Sequence, residues 1–218
     1  MNEIERKLKR PFPESKISWR VGATNADKTS GIGLAYIDAR DVMHRLDDVL
    51  GLNWQCKYSH AEGKTICDLG IKIDGEWIWR AGGAGDTDVE AEKGAISDAF
   101  KRAAVLFGIG QYLYSLGTEW SPIVAKGRSY VLQHPPKLPK SATPSGFDQM
   151  IDRHEKLDDV VENIRNHLVA GDLDSAVTEL DLIRTLAEDE EEQIEFWFKF
   201  SSWERSALKA GKAAKAKK

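Results

Sequence analysis

The run TDVEAEKGAISDAFKRAAVLFG, from Thr87 to Gly108, constrains the fold more than any other stretch because it specifies a whole helix, ends included. Thr87 and Glu90 stand three residues apart as a capping box, which satisfies backbone N–H groups that a helix start leaves unpaired. Gly108 and Gly110 supply the stop, since glycine accepts the left-handed conformation in which many helices end. Ile96, Ala99, Phe100, Ala103 and Phe107 recur at helical spacing as one apolar stripe, while Lys93, Ser97 and Lys101 stack on another face. Gly94, Ala95, Ala99 and Ala103 are small enough to let the helix lie close on a sheet. Lys101 and Arg102 then become cations held at fixed positions, which suits a phosphate backbone. The plainer alternative is a solvated face on which Asp98 pairs with Arg102 at i, i+4.

The segment Glu92 to Gly108 resembles the signature helix of the Rad-fifty-two family of single-strand annealing proteins. An Asp-x-x-Lys-Arg-Ala core and a closing Phe-Gly carry the likeness, at Asp98, Lys101, Arg102, Ala103, Phe107 and Gly108. Upstream, Ile17-Ser-Trp-Arg20 resembles the family's short segment with a DNA-binding arginine, and Tyr36-Ile-Asp-Ala-Arg40 resembles its following strand and turn. The likeness covers roughly residues 1 to 122. It implies ATP-independent binding and annealing of single-stranded DNA in recombination and repair, with no catalytic role and no cofactor. It also implies ring or filament assembly, and contacts to DNA through Arg20, Tyr36, Lys93, Lys101 and Arg102. Val105 stands where family members often carry another cation, which makes the groove less positive. Relatives of this size occur in bacteriophages and prophages, so a bacterial or phage-infected cytoplasm is the expected setting.

After Tyr36 a helix with Val42, Met43, Leu46, Val49 and Leu50 inward leads through Gly51-Leu-Asn-Trp54 into three alternating runs. Trp54, Cys56 and Tyr58, then Cys67, Leu69, Ile71 and Ile73, then Trp77, Trp79 and Ala81 predict an antiparallel meander. Glu62-Gly63 and Asp74-Gly75 mark its reversals, because glycine takes the positive φ that tight hairpins need. The odd-numbered apolar set is expected on one face, with Asp68, Lys72, Glu76 and Arg80 on the other. Trp77 and Trp79 read more readily as core under the helix than as base-stacking platforms. Gly82-Gly-Ala-Gly85 is a weak candidate for a phosphate-cradling turn, and without a Gly-Lys-Ser/Thr ending it gives no machinery for nucleotide hydrolysis.

The net charge of −4 conceals an uneven distribution. Residues 1–140 carry 20 Lys/Arg and 18 Asp/Glu, residues 141–204 carry 5 and 17, and residues 205–218 carry 6 and none. Local field governs association with phosphates, so the acidic block does not speak against a nucleic-acid partner. Residues 1–10 have charges but no apolar stretch of a secretory signal; Ile4 and Leu8 suggest a short helix. Cys56 and Cys67 lack metal-site spacing and read as reduced thiols of a cytoplasmic protein. Asp86, Asp88, Glu90 and Glu92 crowd the helix start; a metal-dependent nuclease is the alternative reading, but complementarity to the helix dipole explains them better.

From Ser121 the texture becomes Pro-rich, and beyond it Phe147–Leu168, Leu173–Leu186 and Glu190–Lys209 read as three helices. Phe196, Trp197, Phe198, Phe200 and Trp203 crowd the last one more densely than a single stripe requires, which fits either a partner surface or the core of a small bundle. The expectation is therefore an α+β chain, with an antiparallel meander on a central basic helix and a small all-helical module after it. Its divisions are a single-strand annealing domain (1–122), a Pro-rich linker (123–146), a helical partner-binding module (147–208) and a disordered basic tail (209–218). The expected partners are single-stranded DNA, further copies of the chain and a host single-strand-binding or replication protein, with no membrane. A non-catalytic adaptor that binds such a protein through the C-terminal helices is the second alternative.

Overall fold

A computed structural model of the chain describes residues 1–85, 91–127 and 129–216, and their side chains except those of 91–93. It divides into two compact units, Met1–Phe147 and Asp148–Lys218. The first opens with α1 (Glu3–Lys9), whose Asn2 and Glu5 form a capping box, followed by the hairpin β1 (Ser18–Thr24) and β2 (Ser30–Tyr36). Next come α2 (Ala39–Leu50), capped by Asp38, and the meander β3 (Trp54–Ala61), β4 (Lys64–Ile73) and β5 (Glu76–Gly85). Helix α3 (Ala91–Val105) and the pair β6 (Trp120–Lys126) and β7 (Ser129–Leu132) complete it. The expected α+β arrangement of meander, central helix and helical C-terminal region is present. The Thr87–Glu90 capping box lies outside the described residues.

Helix α3 lies on the meander at a separation that only glycine permits. A Cβ added at Gly82 would stand 2.3 Å from Ala103 N and 2.6 Å from the Ala99 carbonyl oxygen, so the β5 backbone touches the helix backbone directly. Ala95, Ala99, Ala103, Ala104 and Phe100 are buried against the sheet together with Cys67, Leu69 and Ile71. Complete burial of Phe100, Leu69 and, from α2, Leu46 contributes roughly 1.5–3 kcal/mol per side chain. The stripe differs at one position: Ile96 is exposed, and Ala95 and Ala104 face inward instead. The run Gly82-Gly-Ala-Gly85 belongs to β5 and is paired with Cys67 to Lys64, so it is strand under a helix and not a phosphate-cradling turn. The helix ends as expected. Gly108 (φ 90°) takes the left-handed position of a Schellman motif, with Gly108 N–H donating to Val105 and Ile109 N–H donating to Ala104.

The hairpins overturn the expected placement of two tryptophans. Glu62-Gly63 and Asp74-Gly75 all have positive φ, as two-residue type I′ turns demand. Such a turn pairs odd with even numbers: Ile73 faces Glu76, Ile71 faces Ile78 and Cys67 faces Gly82. Residues facing one another share a face of the sheet, so the odd-numbered inner residues of β4 continue as even-numbered ones in β5. Trp77 and Trp79 therefore stand outside, 39% exposed, opposite Lys72 and Gly70. Arg80, expected on the outer face, stacks 4.9 Å over Phe107 and donates to the Leu106 carbonyl.

A second sheet, of order β1-β2-β6-β7, has no counterpart in the expected fold. Residues 123–126 and 129–132, expected as the start of a Pro-rich linker, are strands here: Ile123 to Lys126 pair with Leu132 to Ser129, and just before them Trp120 to Pro122 pair with Ile32 to Ser30. Pro122 is tolerated because it stands near the end of its pairing with β2. Arg45 was also illegible in sequence. Its guanidinium donates to the carbonyls of Lys7 (2.9 Å), Leu8 (3.3 Å) and Arg10 (2.6 Å) and lies 4.2 Å from the Phe12 ring, so α2 closes the C-terminus of α1. Cys67 is a buried free thiol pushed up to about 12 by that burial, so it stays protonated at neutral pH.

In the second unit α4 (Pro144–Val169), whose first residues belong to the first unit, is followed by α5 (Leu173–Leu186), α6 (Glu190–Phe198) and α7 (Ser202–Lys215). The last predicted helix is thus two, split where Ser201 and Glu204 form a capping box. Residues 209–215, expected as a disordered tail, continue α7. Alanine and lysine favour helix, and Gly211 lets α7 approach α5, since a Cβ there would meet Leu173 Cγ at 2.6 Å. Phe196, Phe200 and Leu208 form the core with Leu157 and Ile164. Glu192, 8% exposed, is clamped by Arg153 (3.1 Å), by His154 (2.7 Å) and by the Glu188 N–H. Burial alone would raise this carboxyl, but those hydrogen bonds outweigh it and hold the pKa below the ordinary value. Among the described residues no helix is long and apolar enough to cross a membrane.

Two consequences are measurable. Gly82→Ala forces backbone apart from backbone and should lower stability by roughly 1–3 kcal/mol in urea titration, far more than Gly85→Ala, whose Cβ would meet nothing. Because the Glu192 pKa is depressed on folding, its contribution is present above the unfolded-state pKa of about 4.3 and lost as pH falls through the folded value. The acid dependence of the helical unit's stability, followed by helical circular dichroism, should therefore be flatter in Glu192→Gln than in the parent chain.

Candidate nucleic-acid interface

Four of the five residues named from sequence line one open cleft of about 440 Å³ in the first unit. Strand register brings the first two together. In the β1–β2 hairpin Arg20 faces Leu34 and Ser18 faces Tyr36, so Arg20 and Tyr36 are diagonal neighbours on one face of the sheet. The α3–β5 contact at Gly82 fixes the opposite wall, from which Asp98, Lys101 and Arg102 project. The turn after the Schellman glycine closes the end with Ile109, Leu113 and Tyr114. Lys93, the fifth residue, has its side chain outside the described set.

The charges are unequal in freedom. Lys101 Nζ lies 3.1 Å from Asp98 and 5.8 Å from the centre of the Tyr36 ring, so it is tethered between a carboxylate and an aromatic face. Asp98 thus pairs at i, i+3 with Lys101, where the sequence suggested Arg102. Arg20 and Arg102 are exposed, and neither has an ion-pair partner among the described residues. Their guanidinium groups keep their hydrogen-bond donors open to a ligand that arrives with oxygen anions. Three cations against one carboxylate, on strand and helix positions, give the cleft a net positive lining.

Sequence reasoning missed Tyr114 in the same cleft. Tyr114 is 73% exposed. Tyr112, two residues earlier in the 3-10 turn Gln111–Ser115, turns inward and accepts a 3.0 Å hydrogen bond from Phe12 N–H. The tyrosine pair after Gly110 was the available signal, but which ring stays outside depends on that distant partner. With Tyr36, the cleft carries aromatic surfaces interleaved with cations, a combination suited to stacked bases on a charged backbone. Among the described residues no group of three His, Cys, Asp or Glu side chains is placed to hold a metal ion.

The family model described as Rad52/22 family double-strand break repair protein matches residues 1–69 and 64–130. The Single-stranded DNA-binding protein DdrA of Deinococcus radiodurans is 35% identical over 146 residues, 66% of this chain and 69% of that protein. The protein of the same description from Deinococcus deserti is 34% identical over 146 residues, 66% of this chain and 72% of its own length. No solved structure matches. The matched residues take in β1, β2, α3 and the whole cleft between them, and with that coverage and identity the chain belongs to the Rad52/22 family of double-strand break repair proteins.

Proposed function

We propose that this chain binds single-stranded DNA and anneals complementary strands in recombination and repair, without ATP and without catalysis. The observation that carries the reading is the convergence of Arg20, Tyr36, Lys101 and Arg102 on one open cleft, with both arginines free of ion pairs among the described residues. A strand whose phosphates lie on Arg20, Lys101 and Arg102 leaves base edges outward, and the protein imposes no sequence. Complementary strands repel through their phosphates. A cationic wall that holds one strand extended lowers that repulsion, and base pairing supplies the free energy. Tyr36 and Tyr114 offer flat faces against which bases rest until paired, and Lys93 is assigned a further phosphate contact.

The charge of one cleft is modest, and Val105 adds none to it. Side-by-side copies in a ring or filament would join these clefts into a continuous track, so homo-oligomeric display is part of the proposal. The first unit performs the annealing and the helical unit meets a replication or single-strand-binding protein; the setting is the bacterial cytoplasm.

Two dye-labelled complementary oligonucleotides, with chelator present and ATP absent, give the direct test. Annealing should accelerate with added protein and weaken as salt rises. Arg102→Ala should make the plot of log affinity against log salt shallower by about 0.7, the share of one phosphate contact on a single strand. Arg102→Glu should abolish strand binding; unchanged affinity would remove the cleft from the mechanism. A chain ending at Phe147 should still anneal, and loss of annealing there would refute the division of labour.

A further inference from the structure

The second unit contains a groove of about 400 Å³ that its own core does not fill. Three helices form it: Ile183 of α5, Ile194 and Trp197 of α6, and Leu208 of α7 make an apolar floor and wall. Ile183 and Leu208 are buried beneath, whereas Ile194 is 53% exposed although it lines the opening. Arg184, Lys209 and Lys212 stand at the rim. This distribution runs against the unit as a whole, which carries 17 Asp/Glu and 11 Lys/Arg over residues 148–218.

Three cations elsewhere in the unit are held by carboxylates. Arg153 holds Glu188 and Glu192, Arg165 holds Glu162 and Glu204, and Lys199 holds Asp158. At the groove, Lys209 leans on the Trp197 ring at 5.8 Å and Arg184 reaches Asp181 only at 4.0 Å. Lys212 has no ion pair among the described residues. Glu190 is the one carboxylate in the lining. The result is an apolar trough with a cationic rim in a unit of net negative charge.

We infer that this groove is the docking site for an acidic peptide segment of a partner protein, one that inserts bulky apolar side chains between α6 and α7 while its carboxylates meet Arg184, Lys209 and Lys212. The apolar side chains contribute the affinity and the rim selects the sign of charge. Helices presenting a hydrophobic trough commonly receive such segments. The inference deepens the partner-binding reading of the helical unit and is independent of the annealing cleft.

The test is selection of a random dodecapeptide display library on the full-length chain, with the Lys209→Glu/Lys212→Glu variant as counter-target. Sequences combining Asp or Glu with Phe, Trp, Leu or Ile should be enriched. A synthetic copy should bind the parent chain in fluorescence anisotropy, roughly tenfold more weakly to the charge-reversed variant, and with near-parent affinity to Lys209→Arg/Lys212→Arg. Ile194→Asp should also weaken it, and all variants should anneal DNA as the parent does. Enriched peptides that are neutral or basic, or indifferent to these substitutions, would overturn the chemistry while leaving a partner site in the unit. No enrichment at all would overturn both. Displacement of the peptide by a single-stranded oligonucleotide, or self-association lost in Ile194→Asp, would assign the groove instead to DNA or to a second copy.

Discussion

The contact between Gly82 and the backbone of α3 sets the geometry on which the rest of the first unit depends. With no side chain between them, strand and helix meet main chain to main chain, and the small residues Ala95, Ala99 and Ala103 fill the seam. A helix held that low cannot roll, because rolling would drive a larger residue into β5. Asp98, Lys101 and Arg102 consequently emerge at one fixed edge, facing the hairpin that carries Arg20 and Tyr36. The polar wall is rigid because the apolar seam beneath it is tight.

Turn chemistry does comparable work in the meander. Two type I′ turns shift the numbering of the inner face from even to odd and back to even, which places Gly82 under the helix and Trp79 over Gly70. On the outer face Trp77 and Trp79 lie 5.9 Å apart, and Lys57 sits 4.8 Å from the Trp79 ring. Those rings cover backbone that glycine leaves bare: a Cβ at Gly70 would meet Trp79 at 2.9 Å. The same logic of local alternation predicts either face, and only the length of the turn chooses.

The helical unit distributes its charge differently. Its buried carboxylate, Glu192, is satisfied by a guanidinium, an imidazole and a backbone N–H, so the acid-rich surface is tied to the core through α4 and α6. Such clamps break as units when one partner is lost, because a buried charge is left behind. The cations at the groove between α5, α6 and α7 have no comparable ties, and the apolar floor below them is open. Clamp and groove are built from the same helix, α6, on opposite sides.

What lies within one element or one turn was legible in sequence. The glycine stop of α3, the two hairpin turns and the basic edge at Lys101 and Arg102 all follow from spacing, since a few consecutive residues decide each of them. The capping box of Ser201 with Glu204 was equally visible, though masked by the aromatic run around it. Partnerships between distant segments belonged to the tertiary structure. The pairing of β6 with β7 turns residues expected as linker into sheet, Arg45 finds carbonyls more than thirty residues away, and Tyr112 turns inward for Phe12 and leaves Tyr114 to the cleft. Sequence alone determined that this chain has a basic helix built to lie flat on a meander. Only the folded chain decided which hairpin would face that helix across a cleft, because the choice rests on register and backbone approach, which no local pattern encodes.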